Sequence, residues 1–263
     1  MSKLHVGPKI LTADIETLPL QTYNWSLWDE PRALDRLVKD WACFSAAAKW
    51  MHEPRVMYRD TQKCETASDD KELMIWLREL LDEADVVVGQ NVQKFDMRKI
   101  RARMIYHGLK PFREPAIVDT MLMAREVAAF TSNKLEYLST LTDEQKSKHS
   151  KYPGFALWLG IMANEPGAWR ECKVYNKQDV VSTEKLYMLL RPWSRKHPNL
   201  AHYYDDDVQR CPRCGHDHLT ATGMIYRGVS RYQTLVCDGC GGHSRTRFTE
   251  NSKAKRKALI TCI

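Results

Sequence analysis

Two short cysteine pairs constrain this chain more than any other stretch of it. Cys211-Pro212-Arg213-Cys214-Gly215 and Cys237-Asp238-Gly239-Cys240-Gly241 share one pattern, with 22 residues between Cys214 and Cys237. Four thiolates presented this way close a tetrahedral site around one ion, and the glycine after each second cysteine lets backbone amides turn toward sulfur. The gap is slightly longer than usual for such a site and leaves room for a hairpin over residues 226–236, rich in aromatic and β-branched side chains. A small C-terminal zinc ribbon over residues 208–250 is therefore expected, with one structural Zn²⁺ on Cys211, Cys214, Cys237 and Cys240. Iron could use the same four sulfurs. His216, His218 and His243 are surplus to a site that sulfur already fills. Cys43, Cys64, Cys172 and Cys262 are scattered, which is no disulfide framework and suits a reducing interior.

The charge is as unevenly placed as the cysteines. The net charge is +7. From Gln209 onward there are ten Lys and Arg against three acids, so residues 1–208 hold thirty of each and balance. Zn²⁺ would offset half the charge of four thiolates and leave this end basic, including a tail at 251–263. A basic surplus is often only a solvated face, but it also suits a polyanion such as nucleic acid.

The rest of the chain reads as alternating short strands and helices. Residues 9–14 read as a buried strand, and 41–50 and 55–58 as two more. Helices are expected over 71–81, over 95–107 with Gly108 as C-cap, from Thr120 and from about 167 to Leu190, ending before Pro192. Val86-Val87-Val88 and Ala116-Ile117-Val118 are short apolar strands between them. The helical pattern after Asn133 loosens around 146–154, and 192–207 reads as a linker. Such alternation means a layered α/β domain, here about residues 1–200. No stretch is apolar enough to span a bilayer, and residues 1–8 lack a signal-peptide core. The protein is expected to be soluble and to stay in the cytoplasm of the cell that makes it, bacterial or phage-infected, without contact to membrane.

Three groups of acids stand out. Asp14 and Glu16 lie two apart at a strand end, so both carboxylates can face one side. Asp96 falls in the first turn of a helix, after the loop Gly89-Gln90-Asn91-Val92-Gln93-Lys94-Phe95. Tyr175 and Asp179 lie four apart on the long helix and share a face. Each has an ordinary alternative: solvated acids, an acid at a helix terminus, a core tyrosine.

Taken in this order, on strand, strand-to-helix loop and late helix, the groups resemble the DEDD exonucleases, which include polymerase proofreading domains. Asp14 and Glu16 match that family's first motif, Asp96 its second and Asp179 its third, and Tyr175 matches the subgroup with tyrosine there. Residues 41–50, 84–88, 117–125 and 192–200 resemble stand-alone relatives of family-B polymerase proofreading domains. The resemblance covers roughly residues 9–200; Gln90 departs from it, standing where the family often has His. It implies an RNase H-like mixed sheet flanked by helices. It also implies two Mg²⁺ or Mn²⁺ on Asp14, Glu16, Asp96 and Asp179, with Thr17, Asn91 and Phe95 contacting the terminal nucleotide. Asp119 resembles the acid after the family's fifth strand and is read as structural.

The chemistry suits these residue types. In-line hydrolysis of a phosphodiester is helped by two hard cations about 4 Å apart, which prefer carboxylate oxygen. Tyr175 would orient or help deprotonate the attacking water. The expected activity is a 3′→5′ exonuclease on DNA, most readily single-stranded. An exoribonuclease with the same site, and a non-catalytic nucleic-acid-binding protein working through its ribbon, remain alternatives. A replication or recombination protein is a candidate partner, and the lack of a polymerase region suggests a separate nuclease such as a phage encodes.

Overall fold

Strand formation at Ile10–Thr17 follows from its side chains: Leu11, Ala13 and Ile15 are buried on one face while Thr12, Asp14 and Glu16 alternate with them. The computed structural model describes residues 7–26, 34–142 and 151–261. The strands in chain order are β1 (Ile10–Thr17), β2 (Gln21–Thr22), β3 (Leu37–Lys39), β4 (Cys43–Trp50), β5 (Met57–Asp60), β6 (Val86–Gly89), β7 (Ala116–Asp119), β8 (Leu219–Arg227), β9 (Ser230–Cys237) and β10 (His243–Arg245). The helices are α1 (Lys71–Glu83), α2 (Asp96–Tyr106), α3 (Thr120–Val127), α4 (Leu135–Leu138), α5 (Ala156–Met162), α6 (Pro166–Leu190) and α7 (Lys253–Ala258). Most of the loosening expected at 146–154, and Cys262, lie outside the described residues.

The chain divides into two compact units, one of Lys9–Arg125 with Ala129–Tyr187, the other chiefly the chain from Met188 onward with Glu126–Ala128. In the first, β1 is the middle strand of a mixed five-stranded sheet ordered β5-β4-β1-β6-β7. It runs antiparallel to β4 and parallel to β6, and β6 runs parallel to β7. Continuous apolar runs such as Val86-Val87-Val88 suit strands covered on both faces. One face packs Leu11, Ala13 and Ile15 against Leu73, Met74, Leu77 and Leu81 of α1 and Met97, Ile100 and Met104 of α2. On the other, Phe44 meets Trp169 of α6 edge-on at 5.7 Å, and Lys49 pairs with Glu184 of α6 at 2.6 Å.

The second unit contains the three-stranded sheet β10-β9-β8. Its hairpin is longer than residues 226–236 suggest, because β8 begins at Leu219. That strand is mostly solvent-exposed, and a register shift between Ala221 and Gly223, with Gly223 at φ 142°, breaks the alternation that would have marked it. Residues 192–207 do not behave as a free linker. Leu200 is buried and its N–H donates to Pro212 O at 2.8 Å, while Arg213 Nε donates to Ser194 O at 2.6 Å. Among the described residues, no helix is long and apolar enough to cross a membrane.

A buried ion pair locks α1, α2 and β4 together. Asp70, fully buried before α1, accepts from Arg103 Nε and Nη2 of α2, both at 2.7 Å, and from the Cys43 N–H at 2.9 Å. His107 Nε2 adds a contact at 2.5 Å. Burial alone would raise the Asp70 pKa, but the bonds from Arg103, His107 and Cys43 hold it below the ordinary carboxylate value. Asp70→Ala would strand the Arg103 guanidinium in the interior. It should cost about 3–5 kcal/mol of stability, read from denaturant unfolding at neutral pH. A loss under about 1 kcal/mol would show that the pair is replaceable by water.

Candidate metal centres

The acidic site is built where two parallel strands part. β1 and β6 stay paired only as far as Thr12 opposite Val88, after which β1 continues beside β4 alone. At Gly89 the chain turns away, and any Cβ there would lie 2.6 Å from Val92 and 3.0 Å from Ala13 O, so only glycine fits. Asp96, the first residue of α2, enters the split, and its carboxylate accepts the Ile15 N–H at 3.1 Å. Sites at the carboxyl ends of strands, where neighbours diverge, are the usual crevices of α/β sheets.

Asp14, Glu16 and Asp179 each bring an oxygen within 4.8 Å of the others. Asp96 stands outside this trio but close enough that its charge is felt at Asp14. Thus three of the four expected acids converge and the fourth flanks them. Burial, then repulsion from Asp96, Glu16 and Asp179, pushes the Asp14 pKa well above its ordinary value. Burial likewise pushes Asp96 up to about 7, against the pull of the Ile15 N–H, with the charge of Asp119 adding to the rise. Carboxyls held this way fit hard divalent cations, which remove the repulsion.

Three further groups shape the site, and Asn176 is the one the sequence reading missed. Fully buried on α6, it donates from Nδ2 to Asp14 Oδ2 at 2.6 Å and accepts from Ser45 Oγ at 3.4 Å. Its signal was its place three residues before Asp179, on the same helical face. Asp119, at the end of β7, accepts the backbone N–H groups of Asn91, Gln93, Met121 and Leu122 at 3.0–3.3 Å. It therefore clamps the 90–93 loop. Gln90 is tied to Asn133 O at 2.8 Å and Thr120 Oγ1 at 2.5 Å.

The remaining expected residues lie around the trio. Tyr175 is half-buried on α6, one turn before Asp179. Asn91 is half-buried in the left-handed region at φ 56°. Phe95 is exposed, with Lys99 Nζ 5.1 Å from its ring centre, so it is not core packing. Thr17 ends β1, its carbonyl accepting from Trp158 Nε1 at 3.2 Å.

In the second unit, Cys211, Cys214, Cys237 and Cys240 also gather within 4.8 Å. Cys211 Sγ lies 3.7 Å from Cys240 Sγ, and Cys214 Sγ lies 3.4 Å from Cys237 Sγ. The two knuckles are alike: Gly215 at φ 77° donates to Cys211 O at 2.9 Å, and Gly241 at φ 72° donates to Cys237 O at 2.8 Å. A bond from the Cys214 thiol, helped by the Arg213 and Cys214 amides, lowers the Cys211 pKa to about 4 despite burial. The His216 and Gly242 amides point at Cys214 and Cys240. Four clustered sulfurs with amides turned toward them form a possible metal site of the S₄ kind.

The Asp96 shift has a measurable consequence. An unfolded aspartate titrates near 3.9, whereas the folded one titrates near 7. Its stabilising protonated form is complete below about pH 4 and lost as pH rises through 7. Asp96→Asn keeps an acceptor for Ile15. Without added divalent cation it should therefore stabilise the protein by about 2–4 kcal/mol near pH 8 and little near pH 4. Denaturant titrations at both pH values test this, and a gain that did not change with pH would contradict it.

The chain matches no known family model and no curated protein.

Proposed function

We propose that this chain is a metal-dependent 3′→5′ exonuclease of DNA, built on an RNase H-like domain and carrying a structural zinc ribbon. The observation that carries the reading is the convergence of Asp14, Glu16 and Asp179 at a split in the sheet, with Asp96 beside them. A mixed sheet with the single antiparallel strand β4 beside its centre agrees with an RNase H-like fold. The resemblance of these positions to the DEDD exonucleases supplies the reaction.

Asp14, Glu16, Asp96 and Asp179 would hold two Mg²⁺ or Mn²⁺, which supply a nucleophilic water at neutral pH and stabilise attacking and leaving oxygens. Asn176 fixes the Asp14 carboxylate, so that oxygen cannot swing away from the trio. The Tyr175 hydroxyl, one helical turn before Asp179, would orient the attacking water and share its proton. Asp119 holds the loop of Asn91, and the exposed Phe95 ring offers a stacking surface for a terminal base. In the second unit, Cys211, Cys214, Cys237 and Cys240 would hold one zinc, without which so small a module does not keep its fold.

Digestion of a 5′-labelled single strand is the direct test. Products should form a ladder shortening from the 3′ end, only with Mg²⁺ or Mn²⁺. Asp14→Ala and Asp179→Ala should lose several orders of magnitude in rate while remaining folded. Tyr175→Phe should lose less, about a hundredfold to ten-thousandfold, with metal affinity kept. Cleavage of a circular strand at a similar rate would point to an endonuclease, and preference for matched RNA to an exoribonuclease.

A second expectation is one zinc per chain by elemental analysis. Its removal should unfold the second unit, read as lost hydrogen-exchange protection of β8–β10. Iron in its place, or an unchanged fold without metal, would reject a structural zinc.

A further inference from the structure

The ribbon's positive charge is not spread over its surface. Arg195, Arg213, Arg227, Arg245 and Arg247 line one cavity of about 630 Å³, together with Ile225 and Thr234 and with no acidic residue in the lining. The strand register explains the gathering. Ile225 pairs with Tyr232, and Thr234 with Arg245, so these side chains share one face of the β8–β9–β10 sheet, and Arg227 lies two residues beyond Ile225.

Two of the five guanidinium groups are fixed in place. Arg213 donates to Ser194 O at 2.6 Å and His243 O at 2.7 Å, and Arg245 lies 3.8 Å over the Tyr232 ring while donating to Thr246 O at 2.9 Å. The other three, Arg195, Arg227 and Arg247, are exposed, and among the described residues none forms a salt bridge with a carboxylate. Three acids of the unit have partners of their own: Asp217 contacts Arg210 and His218, Asp238 accepts from Thr220, and Glu126 accepts from Ser194 Oγ and the Arg195 backbone. A solvated face would scatter these cations to lessen their repulsion; a concave cluster of five is electrostatically suited to a polyanion.

We propose that this arginine-lined groove binds the phosphates of single-stranded nucleic acid. Guanidinium forks match phosphate geometry, and the groove has room for part of one strand. Phe248, 76% exposed and directly after Arg247, adds a face for an unpaired base. The choice of nucleic acid over other polyanions rests on the proposed function; the groove itself does not.

The test is fluorescence anisotropy with labelled oligothymidylate on the full chain, in an Asp14→Ala background so that the probe survives. Arg227→Glu/Arg247→Glu should weaken binding at least about tenfold. It should also flatten the log–log salt slope by about 1.4, the share of two phosphate contacts on a single strand. Arg256→Glu/Lys257→Glu on α7 makes the same change of charge outside the groove and should leave the slope nearly unchanged. Arg227→Gln/Arg247→Gln, with unchanged melting, should give an intermediate loss and guards against misfolding. Equal losses from both charge reversals, tighter binding of blunt duplex, or equally effective competition by polyglutamate would each overturn the proposal. Hydrolysis by the Asp14-containing protein is scored separately, so a working groove on a non-nuclease, or a nuclease without the groove, would be recognised.

Discussion

Strand β1 is paired along both edges at its start and covered by helices on both faces, and this enclosure governs the first unit. Its carboxylates sit where the enclosure ends, on the stretch that has lost β6 but kept β4. They cannot relax into bulk water without undoing the strand. Nor can Asp14 and Asp96 draw apart freely, because Asn176 holds an oxygen of Asp14 and the Ile15 amide holds one of Asp96. Repulsion is thus stored in the fold, and the burial of Leu11, Ala13 and Ile15 against α1 and α2 sustains it.

How much of this could be read from the residues depends on how local each cause is. Val86-Val87-Val88 and Ala116-Ile117-Val118 announce strands because apolar β-branched runs bounded by polar residues have few other uses. Gly108 ends α2 at φ 65°, as a glycine after a periodic helix should. The carboxylate positions were legible because period two and period four place them on common faces. β8 was not, since its sequence Leu219–Arg227 is stabilised by its partner strand rather than by its own alternation.

The hidden parts are those whose partners lie far away in sequence. Nothing near Asp70 reveals that Arg103 will reach it, and nothing near Asn176 reveals Asp14, 162 residues earlier. The segment 192–207 looked like a linker because its prolines and acids have no periodicity. Its order comes from single contacts, Leu200 with Pro212 and Ser194 with Arg213, which only the folded knuckle supplies. The cysteine spacing was the opposite case: four like residues in two like frames imply their own meeting point.

Asp119 makes a last point about membership of a site. Its oxygens accept four backbone amides, and its charge also reaches Asp96 and helps raise it. One residue therefore holds the loop's shape and contributes to the field behind it. Geometry and electrostatics are coupled at such a position: a replacement without a side-chain oxygen would ease the crowding of charge and also release the backbone that Asn91 depends on. The crowding is in that sense inherited from the architecture: the residue that shapes the loop also adds to the charge beside which Asp14, Glu16 and Asp179 meet.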